Sequence, residues 1–194
     1  KKINNILYEK YVKLENGSKI TTTFEKANTK TVLELKKYNL LKKQYFIEFP
    51  KQGLAELNLI ISTIKRLNGG LLLIDYGFLK QQSKDTLQSV KNHKKNIVFD
   101  HIGNADITSL VNFNLLNYYL RKKKLKVNKI VTQEFFLKRT GIINRADMVS
   151  QKMNFREKSD LFLRLQRLLN PNQMGNLFKV ISAFKLKKKF SLIF

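Results

Sequence analysis

Residues 54–76 constrain the fold most tightly, because they join an amphipathic helix to an unbroken apolar strand through a three-residue stop. Leu54, Leu57, Ile61 and Ile64 recur at spacings of three and four. That spacing places them on one helical face, with Ile60 and Leu67 beside it. Asn68-Gly69-Gly70 then predicts the helix end, since glycine tolerates the left-handed backbone that follows a last turn. Leu71-Leu72-Leu73-Ile74 comes next. Four apolar residues without alternation predict a strand covered on both faces, as in a parallel α/β sheet. Asp75 and Tyr76 are expected at the carboxyl end of that strand.

Other segments extend the pattern. Residues 7–14 alternate and are followed by Asn16-Gly17, which predicts a tight hairpin turn with Ile20–Phe24 returning as the second strand. Tyr45–Glu48 reads as a short strand stopped by Pro50. Thr86–Asn92 suggests a helical turn. A helix is expected from about Ile107 to Lys123, capped by Asp106 and ending in the basic run Arg121–Lys124. Val127–Val131 reads as a strand, Glu157–Leu169 as a helix and Leu177–Phe184 as a final strand. Strand, long helix and strand in that order imply a right-handed crossover. Open sheets of this kind bind ligands at the carboxyl ends of their strands, where Asp75, Thr132 and Gln133 fall.

Composition removes several chemistries. The 194 residues contain no Cys, which excludes disulfides, thiolate metal sites and cysteine nucleophiles. The two histidines, His93 and His101, fit no HxH or HExxH spacing, so no metal site is expected. No apolar run is long enough to span a bilayer. The formal net charge is +24, from 38 Lys+Arg against 14 Asp+Glu. Such a field attracts phosphates, and a basic nucleic-acid-binding module is one alternative. Only 7 of the cations are arginines, however, and the lysines are spread from Lys1 to Lys189. Coding-sequence drift towards Lys, Asn and Ile is the milder account. No Walker loop or G-x-S-x-G elbow occurs, and Gly69-Gly70 precedes a strand where a dinucleotide fingerprint would follow one.

Five blocks in order carry a family resemblance: Gly69–Phe78 (GGLLLIDYGF); Thr86–Val90 with His93; Gly103–Thr108 with Phe113; Thr132-Gln133 through Arg145-Ala146; and Arg167-Leu168 through Val180. Together they resemble the MidA family of S-adenosylmethionine-dependent methyltransferases over roughly Glu48–Ala183. The resemblance implies an α/β class I methyltransferase (Rossmann-like) sheet with helices on both faces and an antiparallel last strand. Leu71–Tyr76, Lys126–Thr132 and Leu177–Ala183 would be its fifth, sixth and seventh strands. The family's amino-terminal half, with its glycine-rich loop, has no match here, so the chain reads as a carboxyl-terminal portion, and the missing initiator Met agrees. On this reading residues 1–184 form a partial domain, with a hairpin and insertion over 1–50 and a basic tail over 185–194. Leu110, Asn112 and Glu134 depart from the family's usual His, Asp and Gly.

The resemblance also implies a function. The cofactor would be S-adenosyl-L-methionine and the partner a protein substrate, whose arginine would accept the methyl group. The family's mitochondrial branch suggests a respiratory complex I subunit. Carboxylates orient a cationic guanidinium and accept its proton, which makes Asp75 and Glu48 the candidate acceptor-positioning residues. Tyr76, Gly77, His93 and Gln133 are the candidate pocket residues. The expected compartment is the cytoplasm, or the mitochondrial matrix for eukaryotic relatives. A non-catalytic assembly or scaffold remnant is the other alternative, favoured by the three departures.

Overall fold

A computed structural model describes residues 1–17, 19–41, 46–80 and 82–185. In chain order the first elements are β1 (Lys2–Ile3), β2 (Ile6–Glu15), β3 (Lys19–Lys26), α1 (Thr29–Lys37), α2 (Lys51–Leu67) and β4 (Gly70–Phe78). Four short strands follow, β5 (Gln88–Lys91), β6 (Lys94–Asn96), β7 (Asp106–Thr108) and β8 (Val111–Asn112). Then come α3 (Phe113–Lys122), β9 (Lys126–Val127), β10 (Val131–Thr132), α4 (Gln133–Arg139) and α5 (Ile142–Ser150). The described chain closes with α6 (Phe155–Leu169), α7 (Met174–Leu177) and β11 (Phe178–Phe184). These elements form two units, one of residues 1–50 and 80–110, the other of residues 51–79 and 111–194.

In the first unit the expected hairpin is present. β2 and β3 pair antiparallel from Tyr8↔Lys26 to Glu15↔Lys19, and Asn16 and Gly17 take φ of 51° and 71° at the turn. β5 pairs antiparallel with β6 on one side and β7 on the other. Two expectations fail here. The segment at 86–92 is strand and turn, not helix, because Asn92 and His93 both take positive φ and fold the chain into a second hairpin. Asp106 does not cap a helix, since Val90↔Asp106 is a strand pair. The proposed strand at 45–48 begins outside the described residues, and Phe46–Glu48 is irregular.

The second unit is built on a sheet of order β10-β11-β4-β8, with β9 also pairing β11. β11 is antiparallel to β4 from Phe178↔Tyr76 to Phe184↔Gly70, and antiparallel to β9 and β10 on its other edge. The antiparallel last strand of the sequence reading is therefore present. β4 meets β8 in parallel at Gly77↔Val111 and Phe78↔Asn112. This approach needs glycine: a Cβ on Gly77 would lie 2.3 Å from the Val111 carbonyl oxygen and 2.7 Å from the Phe113 ring.

The core of this unit follows the helical periodicity. Leu54, Leu57, Ile61 and Ile64 of α2 are buried, as are Phe113, Leu115, Tyr119 and Leu120 of α3. The Tyr119 hydroxyl donates to the Leu54 carbonyl at 2.8 Å, which satisfies a buried polar group between the two helices. Fully burying each of these side chains is worth about 1.5–3 kcal/mol. The expected double coverage of Leu71–Ile74 is not found. Leu72 and Ile74 are 44% and 42% exposed, because successive side chains of β4 point to opposite faces and one face is left open. The stop after α2 also differs in detail, since Asn68, not a glycine, takes the left-handed conformation at φ 54°.

Candidate cofactor and acceptor site

β4 runs on to Phe78, so Asp75 and Tyr76 stand within its last four residues and not beyond its end. Asp75 is exposed, and its Oδ1 accepts the Tyr76 backbone N–H at 2.8 Å. Across the sheet its register partner is Lys179 of β11, whose own partner on β10 is Thr132. Register partners project from the same face, so a carboxylate, an ammonium and a hydroxyl form one row over three adjacent strands. Lys179 Nζ donates to the Asn176 carbonyl, and burial holds its pKa below the ordinary lysine value. Tyr76 lies on the opposite face, half-buried, its ring edge-on to Phe178 with centroids 5.5 Å apart.

The other candidates are placed as follows. Gln133 opens α4 and is buried; its Nε2 donates to the Leu168 carbonyl at 3.0 Å, tying α4 to the end of α6. Gly77 is buried against β8 and Phe113, so its small size serves strand packing. Asp75, Tyr76, Gly77 and Gln133 share the second unit, whereas Glu48 and His93 belong to the first. Glu48 is half-buried with both oxygens engaged: Oε1 accepts the Thr86 N–H at 2.8 Å and Oε2 its hydroxyl at 2.6 Å. His93 is exposed at the tip of the β5–β6 hairpin with φ 61°. Lys179 and Phe178 were missed as site neighbours; the signal was a lysine set in a mostly apolar run, Phe178–Phe184.

The described residues fit a nucleotide-type cofactor poorly. The strand-to-helix junctions β8–α3 and β10–α4 are immediate, with Asn112 Oδ1 accepting from Leu115 N and Thr132 Oγ1 from Phe135 N. Capped in this way, neither helix start presents the glycine-rich turn that lets backbone amides approach a ligand. A cavity of 660 Å³ is lined by Arg145, Met148, Val149, Lys152, Met153 and Glu157 at α5 and α6, and holds none of the candidates. No group of three metal-ligating side chains occurs among the described residues, and no helix there is long and apolar enough to cross a membrane.

Comparison with known proteins decides the family. Residues 2–131 match the model of a family described as S-adenosyl-L-methionine-dependent methyltransferases. The chain belongs to that family, the MidA-type methyltransferases. Two relatives are named protein arginine methyltransferase NDUFAF7, mitochondrial. The Xenopus laevis protein is 32% identical over 121 residues, covering 62% of this chain and 27% of its own length. The Danio rerio protein is 30% identical over 133 residues, covering 66% and 31%. The chain thus spans under a third of these relatives.

Two solved structures from Burkholderia thailandensis share the fold of this MidA-family chain. An uncharacterized protein matches at TM-score 0.78 and 19% identity, over 92% of this chain and 49% of the other. A candidate methyl transferase bound to S-adenosyl-homocysteine matches at 0.74 and 21%, over 92% and 47%. The family's cofactor is S-adenosyl-L-methionine.

Proposed function

We propose that this chain is the carboxyl-terminal portion of a methyltransferase acting on an arginine of a protein substrate, and that it holds cofactor only together with a complementary amino-terminal portion. One observation carries the reading: nearly all of the chain superposes on about half of a solved relative. The two capped strand-to-helix junctions support it, since neither offers an anion cradle. The arginine acceptor is suggested by the names of the relatives. A complex I-type subunit in mitochondria is the finer form of that suggestion, with the cytoplasm as the compartment for a bacterial bearer.

Asp75 suits an arginine acceptor by its chemistry. An exposed carboxylate on a strand orients a guanidinium and takes up its proton as nitrogen becomes bonded to carbon. Glu48, with both oxygens bonded to Thr86, serves as an anchor within the first unit. Calorimetric titration with S-adenosyl-homocysteine tests the proposal. The chain alone is expected to show no binding at micromolar ligand, and binding is expected once the complementary portion is supplied. In that assembly Asp75→Asn is expected to lower kcat/KM for an arginine-containing protein roughly 100-fold. Micromolar binding by the chain alone would refute the dependence on a second portion, and full activity of Asp75→Asn would refute the role of Asp75.

A further inference from the structure

β10 ends at Thr132 and β11 begins at Phe178, and both ends lie at the row that Thr132, Lys179 and Asp75 form across the sheet. Helices α4–α7 fill the interval, so this helical segment leaves the sheet and returns to it at the Asp75 end. α4 and α7 pack on β10 and β11, and α5 and α6 pack on α4. The cavity at α5 and α6, of 660 Å³, falls within the about 300–1,000 Å³ of ligand pockets. Two of the chain's three methionines, Met148 and Met153, line it together with Val149. Methionine fills irregular space and recurs at surfaces that accept varied peptides. Met148 is 64% exposed, and Phe155, which opens α6 between the lining residues Met153 and Glu157, is 88% exposed. Charge indicates what covers this floor. Arg145 and Lys152 stand exposed on its wall, and neither side chain makes a hydrogen bond or ion pair among the described residues. Glu157 is the one acid among the described lining residues, and its Oε2 accepts the Asn154 N–H at 2.9 Å in the helix cap.

We propose that the α5–α6 cavity is a docking site for an acidic segment of the protein substrate. One aliphatic side chain of that segment covers Met148 and Met153, while carboxylates on either side of it pair with Arg145 and Lys152. The inference deepens the proposed function and rests on it for the assignment to a substrate: a segment held there is carried by the same helices that border Asp75. A second copy of this chain fits less well, because it brings another body of +24 against the same two cations. A nucleic acid also fits less well, since it offers phosphates to the cations and no aliphatic chain to the methionines.

The test titrates the full 194-residue chain into a short fluorescein-labelled peptide with one central leucine among glutamates, read by fluorescence anisotropy in about 0.15 M salt. Saturable binding is expected. The double variant Arg145→Glu/Lys152→Glu is expected to fold, by circular dichroism, and to bind at least about tenfold more weakly. Lys94→Glu/Lys95→Glu makes the same change in net charge on exposed residues of β6 and is expected to bind within about twofold of the unaltered chain. Replacing the peptide's leucine by serine is expected to weaken binding at least about tenfold. Five results would overturn the inference: no saturable binding; equal losses in the two charge variants; no loss with the serine peptide; oligothymidylate that loses affinity for Arg145→Glu/Lys152→Glu by the same factor as the peptide; or a dimer of the isolated chain that Met148→Glu abolishes. In the assembly with the complementary portion, Arg145→Glu/Lys152→Glu is expected to raise KM for an acidic arginine-containing protein at least about tenfold at unchanged kcat. An unchanged KM would refute the role in substrate docking. Peptide binding that follows these variants, in an assembly that transfers no methyl group, keeps the docking site and refutes the methyltransferase reading.

Discussion

Asparagine carries more of this fold than its abundance suggested. Asn4, Asn5, Asn16, Asn39, Asn68 and Asn92 all take positive φ, where a short amide is among the few side chains tolerated. Asn28, Asn112 and Asn154 cap α1, α3 and α6, the last in a reciprocal box with Glu157. These asparagines therefore sit where turns and helix starts need them. Asn112 is the informative case, because the family resemblance leads to the expectation of an aspartate there. Asn and Asp cap helices about equally well, and Asn112 Oδ1 accepts the Leu115 N–H at 3.0 Å. Asn112→Ala is expected to cost about 1 kcal/mol in urea unfolding, and Asn112→Asp only a few tenths. Glu134 likewise sits in the first turn of α4 and pairs with Lys138 at 2.6 Å, a favourable place for a carboxylate. Asn112 and Glu134 thus both serve the helices they open.

Elements with strong periodicity were legible and those set by distant partners were not. α2, α6, β11 and the β2–β3 hairpin came from spacing and turn chemistry within one segment. The start of α3 was misplaced by six residues because Asp106 looked like a cap, while β5 claimed it through a pairing some sixteen residues away in sequence. α4 and α5 are short and joined by Gly141 at φ 87°, too brief for a clear repeat. For the candidate site, the strand that carries Asp75 and Tyr76 was readable from its apolar run. Lys179 was not, since only the antiparallel register sets it opposite Asp75.

Glu48 shows the same limit from the other side. Its partner Thr86 is 38 positions on, and the Thr86 hydroxyl in turn accepts the Leu110 N–H at 2.8 Å. Three segments of the first unit therefore meet at one carboxylate. Hydrogen bonds to charged groups contribute about 1.5–3 kcal/mol each. Glu48→Ala is expected to lower stability by about 2–3 kcal/mol in denaturant unfolding and to speed exchange of the Thr86 and Leu110 amides. Unchanged exchange at both amides would remove the anchor.

For the molecule as a whole, charge and the bare strand edge pull in opposite directions. Sheets pair at about 4.8 Å, within reach of repulsion between like-charged bodies at low ionic strength, where the screening length is about 10 Å at 0.1 M. At about 1 M that length falls to about 3 Å, and the Gly70–Tyr76 edge loses its electrostatic guard. Concentrated salt, the usual means of stripping nucleic acid from so basic a protein, is then expected to drive the lone chain into aggregates. Dynamic light scattering across a salt series would reveal growth in particle size, absent from Leu72→Lys/Ile74→Lys.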